Sequence, residues 1–285
     1  MKSNTLSLSS EQIDELKQFY HNYLQKVNQP YLSFVANHND VRISAFTTGK
    51  VLIQGEEINA ELGTIKSVLG IKNYAAIGSD EVGTGDVFGP IVVCSCYTTE
   101  DDLEFLESLN IRDSKTIKNK DIIRLGPIIA KKLTHSLIIL SPEKYNQTYS
   151  KGYNLNKIKA LLHNHMIIKT TSKVNATIPV ILDQFCMPNH YFNYLKEEKL
   201  IYRDIEFHTK AESVHLSVAA ASIIARYAFL AKMHQLSKEL DISLKLGAGK
   251  EVDEQIKEIY SKHGLQTLSK IAKMNYKNIT KMNLS

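Results

Sequence analysis

The sequence has few of the residues that hold small or fibrous proteins together. Its 13 glycines and 6 prolines are too few for a collagen-like or low-complexity chain. Only three cysteines are present, Cys94, Cys96 and Cys186, and this odd, sparse set argues against a disulfide framework and favours a reducing compartment. A chain of 285 residues buries a core without disulfides or a structural metal, and it is long enough for two domains.

Long apolar runs are also missing. No stretch approaches the roughly 18 consecutive apolar residues of a transmembrane helix, and residues 1–10 lack the apolar segment of a signal peptide. With 43% apolar and 23% charged residues, the composition is typical of a globular protein. We therefore expect a cytoplasmic protein that does not use a membrane.

Arginine is scarce, supplying five of the 35 basic residues in a chain of net charge +5. Lysine acts on phosphate as a point charge, whereas arginine reads guanine edges with two hydrogen bonds. Residues 262–285 hold five lysines and no acid, while residues 1–62 carry a net charge of −2. The pattern fits a protein that binds nucleic-acid backbones without reading sequence. It also fits, and composition alone favours, the lysine-rich composition of an AT-rich genome with a solvated basic tail.

Residues 1–69 are predicted to form a small α+β domain. A capping box at Ser9 and Gln12 starts an amphipathic helix that Pro30 ends. A second helix is predicted from about 57 to 69. The strands between them are predicted at about 31–36, 41–46 and 50–54. This order indicates an antiparallel sheet of at least three strands with two helices, and a linker at 70–73.

Side chains alternate across each of these strands, so the sheet has two different faces. The helices are expected to cover the valine and isoleucine face. The other face carries Arg42, Phe46, Lys50 and Gln54, a mixture of basic, aromatic and amide groups that suits a nucleic-acid strand. The alternative is a half-solvated sheet face with chance polar residues.

From residue 74 onwards, strands and helices alternate, which predicts an α/β domain. Strands are predicted at 74–79, 90–97, 135–140, 178–182 and about 204–208. Helices are predicted at 101–109, 119–132, 155–172, 188–197, 213–239, 251–261 and 265–274.

The densest chemical signal is the pair Asp80 and Glu81 at the end of an apolar strand, followed by a turn that contains Gly83 and Gly85. Glycines permit close backbone approach and expose N–H groups to phosphate oxygens. Carboxylates alone repel a phosphodiester, but a bound divalent cation reverses that sign. The alternative is a polar hairpin turn with solvated acids.

Two further acids are candidates to join this pair. Asp183 follows the apolar strand 178–182, and an acid at the carboxyl end of a buried strand commonly faces a ligand in α/β folds. Glu212 precedes a long alanine-rich helix, where an acid also simply favours the helix dipole.

Several ordered segments resemble the motifs of the type 2 ribonucleases H, and most closely those of ribonuclease HIII. The matching segments, over about 74–280, are Asp80-Glu81-Val82-Gly83-Thr84-Gly85-Asp86 with Phe88-Gly89-Pro90, Asp113-Ser114-Lys115, Ile181-Leu182-Asp183-Gln184-Phe185, Glu212 with Ala219-Ala220-Ala221-Ser222-Ile223-Ile224-Ala225-Arg226, and Gly247-Ala248-Gly249 through Asn278. Thr84 stands where HII enzymes usually carry Arg or Lys, and Glu212 where they usually carry Asp. The topology of residues 1–69, with the run Gly49 to Gly55, resembles the TATA-binding-protein-like domain of HIII enzymes.

The resemblance implies a ribonuclease H-like mixed sheet flanked by helices and an N-terminal substrate-binding domain. It also implies two-metal hydrolysis of the RNA strand of an RNA/DNA hybrid, leaving 5′-phosphate and 3′-hydroxyl ends. The implied ligands of two Mg²⁺ or Mn²⁺ ions are Asp80, Glu81, Asp183 and Glu212. The implied substrate contacts are Gly83, Thr84 and Gly85 at the RNA 2′-hydroxyls and Lys115 at a phosphate. The strand alternation adds Arg42, Phe46, Lys50 and Gln54 of the N-terminal sheet as candidate contacts. We expect a monomer that does not bind membranes.

Two other activities stay open at this stage. One is incision at single ribonucleotides in DNA, as in HII enzymes, and the other is hybrid binding without catalysis. Other motifs fail: Phe88 breaks a dinucleotide fingerprint, and Leu244 replaces the first glycine of a P-loop. His163 and His165 are predicted to lie on a helix surface.

Overall fold

The computed structural model describes residues 2–27, 29–56, 58–70, 75–111, 116–174 and 178–284. The chain forms two compact units, Met1–Asn73 and Tyr74–Ser285.

The N-terminal unit is a four-stranded antiparallel sheet with two helices. Its elements are β1 (Lys2–Ser7), α1 (Ser10–Phe19), β2 (Leu32–His38), β3 (Val41–Phe46), β4 (Lys50–Gly55) and α2 (Ile58–Val68). The strand order is β1-β4-β3-β2. The Ser9–Gln12 capping box forms as predicted. The first helix does not reach Pro30: it ends at Phe19, and Leu24 instead forms a bridge with Ala36 of β2.

The two faces of this sheet differ as the alternation predicts. Ile43, Val51 and Ile53 are fully buried against the helices. On the other face Arg42 and Lys50 are exposed, Phe46 and Gln54 are partly buried, and Arg42 lies opposite Gln54 across the strand pair. Tyr31 stacks on Phe46, with ring centroids 6.5 Å apart. Ser44 departs from the pattern, because it belongs to this second face and is buried.

The C-terminal unit has a mixed five-stranded sheet flanked by helices, and the predicted fold class is confirmed. Its strands are β5 (Ala76–Val82), β6 (Ile91–Thr98), β7 (His135–Leu140), β8 (Val180–Asp183) and β9 (Ile205–His208). Its helices are α3 (Leu103–Ser108), α4 (Asn119–Lys132), α5 (Pro142–Tyr149), α6 (Leu155–Val174), α7 (Pro188–Tyr194), α8 (Ala211–Val214), α9 (Leu216–Leu240), α10 (Lys250–Ile271) and α11 (Lys277–Thr280). The strand order is β7-β6-β5-β8-β9, antiparallel through β7, β6 and β5 and parallel through β5, β8 and β9.

Four helices differ from the predicted pattern, and two of them, α8 and α11, are separate four-residue elements that the sequence did not predict. Helix α5 was not foreseen, although Ser141 caps it and Pro142 occupies its first turn, a common helix start. Helix α10 is continuous except at Gly264, whose φ of 75° interrupts it between the two predicted helices. It ends at Ile271 because Ala272 is extended and forms a bridge with Phe88.

Helix α9 lies against the sheet at the level of the acids. It is long and apolar enough to cross a membrane, but 67% of its most apolar stretch is buried inside the unit, as in a core helix. Its contact with β5 is very close: a Cβ added to Gly78 would lie 2.2 Å from the backbone nitrogen of Val218. Only glycine fits there without movement of the helix or the strand.

Candidate active site

The ends of β5 and β8 bring three acids to one edge of the sheet. Asp80 and Glu81 lie near the end of β5, and Asp183 is the last residue of β8. The two strands are parallel neighbours, with Ser79 opposite Leu182. Because parallel strands end at the same edge, side chains that follow them meet there.

Asp80 and Glu81 point to opposite faces of the sheet, since successive side chains alternate along a strand. Asp80 is buried on the α9 side, where Ser222 hydrogen-bonds with its carboxylate. Glu81 faces α6, where its two carboxylate oxygens accept hydrogen bonds of 2.9 Å from Lys159 Nζ and His163 Nε2.

The fourth acid is connected to the third through one backbone hydrogen bond. The N–H of Ala211, the first residue of α8, donates to Asp183 Oδ1 at 2.9 Å. Glu212 follows Ala211 and is buried, with 6% of its surface exposed. The start of α8 therefore places Glu212 next to the residue that holds Asp183.

A cleft of about 400 Å³ opens at this edge of the sheet. Its walls are formed by Asp80, Glu81, Val82, Gly83, Thr84, Asp183, Ser222 and Arg226. Three of the four predicted acids and two residues of the glycine turn thus share one cavity. Glu212 is not part of the cleft wall.

The environment moves the pKa values of the neighbouring acids in opposite directions. Burial, assisted by the charges of Glu81 and Asp183, raises the pKa of Asp80, and the hydrogen bond from Ser222 opposes this only in part. Burial alone would also raise the pKa of Glu81. His163 and Lys159 outweigh it, so the pKa of Glu81 falls below its usual range. Of these two acids, Asp80 is therefore the one whose negative charge is stabilised less by the protein itself.

The donor set fits a hard divalent cation. Three acidic residues line one cleft, and oxygen ligands of this kind suit Mg²⁺ and Mn²⁺. Across the residues that the structure describes, no three His, Cys, Asp or Glu side chains stand as a ready-made metal cluster. The fit therefore rests on ligand chemistry and on the mutual repulsion of Asp80 with its acidic neighbours.

The glycine turn forms the wall of the cleft beside the acids, and the two glycines serve different purposes. Gly83 has φ of 94°, and a Cβ there would lie 2.1 Å from the carbonyl oxygen of Pro90. Gly85 is exposed, and a Cβ there would meet open space. Gly83 is thus required by the turn itself, whereas Gly85 leaves its backbone accessible to a ligand.

The C-terminal segment holds this turn in place. Tyr276 donates from its hydroxyl to the carbonyl oxygen of Thr84 at 2.7 Å, and Lys273 Nζ donates to those of Asp86 and Gly89, each at 2.7 Å. Lys273 is fully buried, and burial lowers its pKa to about 7. The prediction of a solvated basic tail is therefore wrong for this part of the chain: the segment around Lys273 packs into the core through residues such as Ile271.

The structure identifies residues near the acids that the sequence did not single out. His163 was predicted on a helix surface, but it is fully buried against Glu81, and only His165 is exposed. Lys159 and His163 are four residues apart on the buried face of α6, a spacing that places both on one side of a helix. This spacing could have indicated from the sequence that Lys159 and His163 lie on one side of the helix. Only the fold shows that this side is buried.

Ser222 and Arg226 also line the cleft from one side of α9, again four residues apart. Arg226 Nη2 donates to Asn119 Oδ1 at 2.6 Å. Both residues belong to the segment that carries the family resemblance, yet no role followed from the sequence. Lys115, the predicted phosphate contact, lies outside the described residues.

Comparison with known proteins gives the same picture over almost the whole chain. The family model "Ribonuclease HII" matches residues 77–279, and a "Domain of unknown function (DUF3378)" matches residues 4–64. A protein of Phytoplasma mali named ribonuclease HIII is 51% identical over 283 residues, covering 99% of this chain and 98% of its own. A Bacillus pumilus ribonuclease HIII is 37% identical and covers 99% and 98%.

Solved structures agree. The crystal structure of Bst-RNase HIII in complex with Mn²⁺ matches with a TM-score of 0.71 at 35% identity, covering 98% of this chain and 97% of that one. Aquifex aeolicus RNase H3 matches with a TM-score of 0.65 at 28% identity, covering 95% and 99%.

The mixed sheet and the acid-lined cleft at its edge are those of a type 2 ribonuclease H-like nuclease domain. With full-length relatives at this level of identity, the chain belongs to the ribonuclease HIII family.

Proposed function

We propose that this chain is an endonuclease that hydrolyses the RNA strand of RNA/DNA hybrids and leaves 5′-phosphate and 3′-hydroxyl ends. The observation that carries the proposal is the convergence of Asp80, Glu81 and Asp183 on one cleft with the glycine turn as its neighbouring wall. Glu212, joined to Asp183 through Ala211, completes the proposed ligand set for two Mg²⁺ or Mn²⁺ ions.

Bound divalent ions supply an activated water and stabilise the leaving 3′-oxygen. The chain's own residues hold the carboxylates in place for this chemistry. Ser222 hydrogen-bonds with Asp80, the amide of Ala211 donates to Asp183, and α6 holds Glu81. Each of these three ligands thus has a partner that restricts its rotation, as is usual around metal sites.

Two walls of the cleft meet the needs of an RNA strand. Thr84 and the exposed Gly85 offer backbone groups for contact with the 2′-hydroxyl, the group that separates RNA from DNA. Arg226 brings a positive charge to the cleft wall, suited to a phosphate of the same strand. We place Lys115 at a phosphate as well, on the family resemblance.

The N-terminal unit contributes substrate binding in this proposal. Arg42, Phe46, Lys50 and Gln54 share the sheet face that the two helices leave uncovered, which supports contact with a nucleic-acid backbone. We further propose that the protein is a cytoplasmic monomer without a membrane partner. The free thiols of Cys94, Cys96 and Cys186 support a reducing compartment.

The test is cleavage by the full-length protein of two end-labelled substrates, an RNA/DNA hybrid and a DNA duplex with one embedded ribonucleotide. In Mg²⁺ or Mn²⁺ we expect internal cuts in the hybrid with 5′-phosphate ends, poor incision of the second substrate, and no cutting in EDTA. Asp80→Asn is the negative control. Binding of the hybrid without cleavage would identify a non-catalytic binder, and ready incision at the single ribonucleotide would indicate HII-type activity.

A further inference from the structure

A cluster on the α6 side of Glu81 consists of two basic side chains that are buried beside the cleft. Lys159 and His163 are 7% and 0% exposed, and each contacts a different carboxylate oxygen of Glu81 at 2.9 Å. Long basic side chains are almost never buried this completely unless they are paired. Their burial therefore points to a specific effect on the carboxylate of Glu81, a residue of the cleft wall.

The hydrogen-bond chain through His163 continues to the backbone of the sheet. The Ser79 hydroxyl donates to the carbonyl oxygen of Cys94 at 3.0 Å, and the Ser79 oxygen lies 2.8 Å from His163 Nδ1. Nε2 of His163 donates to Glu81, and its Nδ1 is hydrogen-bonded with the Ser79 hydroxyl, so both ring nitrogens have a partner. Glu81 is thereby tied to strand β6 through two side chains.

Lys159 and His163 are themselves fixed by one aromatic ring. Phe185, two residues after Asp183, stacks on His163 with centroids 5.4 Å apart, and Lys159 Nζ lies 4.0 Å from the centre of the same ring. The ammonium group is therefore held between a carboxylate and an aromatic face, an arrangement that strengthens a buried cation's position. The end of β8 thus carries Asp183 and, two residues later, Phe185. The ring of Phe185 in turn restrains Lys159 and His163, the two partners of Glu81.

We infer that Lys159 and His163 are positioning residues that hold Glu81 in one orientation while reducing its attraction for a divalent cation. This inference rests on the proposed function of the cleft. Each oxygen of Glu81 already accepts one bond, so rotation of the carboxylate breaks both bonds. The positive charge of Lys159 also repels a cation bound by the same carboxylate. The contact with Lys159 thus fixes the orientation of the Glu81 carboxylate and, at the same time, lowers its affinity for a metal ion.

The two effects separate in Lys159→Met, which keeps the aliphatic stem and removes the charge. Isothermal titration of the full-length variant with Mn²⁺, without substrate, is expected to show binding tighter by about threefold or more, because a repulsive charge is gone. The kcat for hybrid cleavage at saturating Mn²⁺ is expected to fall by about 10- to 100-fold, as for other residues that orient metal ligands. KM for the hybrid should change little.

Three companion variants make the result interpretable. Lys159→Arg restores the charge and should return both Mn²⁺ affinity and kcat towards the original values. Lys159→Gln keeps a hydrogen-bond donor without the charge, so it should bind Mn²⁺ more tightly and lose less kcat than the methionine variant. Lys157→Met is the matched control, because Lys157 is on the same helix but pairs with Glu197 at 3.6 Å, away from Glu81.

Opposite movement of Mn²⁺ affinity and kcat in Lys159→Met is the decisive signature. A purely structural role would weaken both, and unchanged Mn²⁺ affinity or unchanged kcat would equally overturn the inference. If the unsubstituted protein bound Mn²⁺ but did not cut the hybrid, the proposed function would fail on its own. The Mn²⁺ titrations of the variants would then still decide the charge effect.

Discussion

Lys273 donates a 2.7 Å hydrogen bond to the carbonyl oxygen of Gly89, a residue 184 positions earlier in the chain. With the bond to Asp86 at the same length, this buried side chain joins the C-terminal segment to the glycine turn of the cleft. Lys273 Nζ also lies 3.5 Å from the carbonyl oxygen of Phe88, so three backbone oxygens of the turn surround it.

This interaction predicts a pH dependence of stability. Burial lowers the pKa of Lys273 to about 7 in the folded protein, partly opposed by Asp86, from 10.5 in the unfolded chain. Between these values the unfolded chain binds more protons, so stability contributed by Lys273 rises with pH, by up to about 1.4 kcal/mol per pH unit. Below pH 7 both states are charged and the penalty of burying the ammonium is fully present.

The measurement is urea unfolding of the original protein and Lys273→Met at pH 7, 8 and 9. The difference in unfolding free energy between them should grow in favour of the original protein as pH rises. Parallel pH curves would show that the ammonium stays charged in the folded state.

The four acids are predicted to be individually necessary. The variants are Asp80→Asn, Glu81→Gln, Asp183→Asn and Glu212→Gln. Each is expected to lower kcat for hybrid cleavage by at least about 10²–10³, the range for loss of one transition-state stabiliser. Asp183→Asn is especially informative, because an amide oxygen still accepts the Ala211 hydrogen bond and leaves α8 anchored. Near-normal cleavage at saturating Mg²⁺ by a folded variant would remove that residue from the ligand set.

The two turn glycines should respond differently to alanine. If the substrate approaches the turn backbone closely, both alanine variants should cleave the hybrid less well. The structure predicts that they differ in stability. Gly83→Ala places a Cβ 2.1 Å from the Pro90 oxygen at a φ of 94°, so it should cost about 1–3 kcal/mol of stability or more. Gly85→Ala meets no protein atom and should change stability by less than about 0.5 kcal/mol.

Thermal unfolding and hybrid cleavage of these two variants supply the comparison. A stable Gly85→Ala with reduced cleavage would support contact between the substrate and the backbone at this position. If Gly85→Ala cleaves the hybrid normally, the substrate does not approach that backbone closely.

The N-terminal sheet face predicts a change in salt dependence. Removing one side chain that neutralises a phosphate should flatten the slope of log binding constant against log salt by about 0.7–0.9. The double variant Arg42→Gln with Lys50→Gln removes two exposed charges from this face. The matched double variant, Lys270→Gln with Lys277→Gln, removes two exposed charges from the C-terminal segment. Hybrid binding is measured between about 50 and 200 mM salt, in EDTA to prevent cleavage.

We expect the Arg42/Lys50 pair to flatten the slope and the Lys270/Lys277 pair to leave it nearly unchanged. The net charge of −2 over residues 1–62 makes this a demanding test. The reverse result would assign the electrostatic interaction with the substrate to the C-terminal segment and leave the N-terminal unit without this role.

The local pattern of apolar residues was enough to predict most of the strands in both sheets. The strands of the C-terminal unit begin and end within about three residues of the predicted positions, because runs such as Val180 to Leu182 are apolar and short. Strand β1 was missed because its sequence, KSNTLS, is polar and lacks strand-forming residues except Thr5 and Leu6. Its order comes from pairing with β4, which is a tertiary effect.

The acids of the site were predictable for a similar reason, whereas their partners were not. Asp80 and Asp183 follow apolar strands, a position visible in the sequence. Lys159 and His163 look like surface residues of a helix with almost no amphipathic pattern, because both faces of α6 carry polar groups. Their burial depends on how α6 packs over β5, and that information is not local.

The close approach of Gly78 and Val218 restricts which amino-acid substitutions this enzyme tolerates at position 78. Position 78 lies two residues before Asp80, on the strand that carries the acids, and the backbone of α9 passes too close for any side chain. A substitution there pushes α9 away from β5 and with it Ser222, the residue that hydrogen-bonds with Asp80. Loss of activity in a mutational scan at this position would thus report the spacing between two backbones, and no compensating side chain elsewhere would restore it.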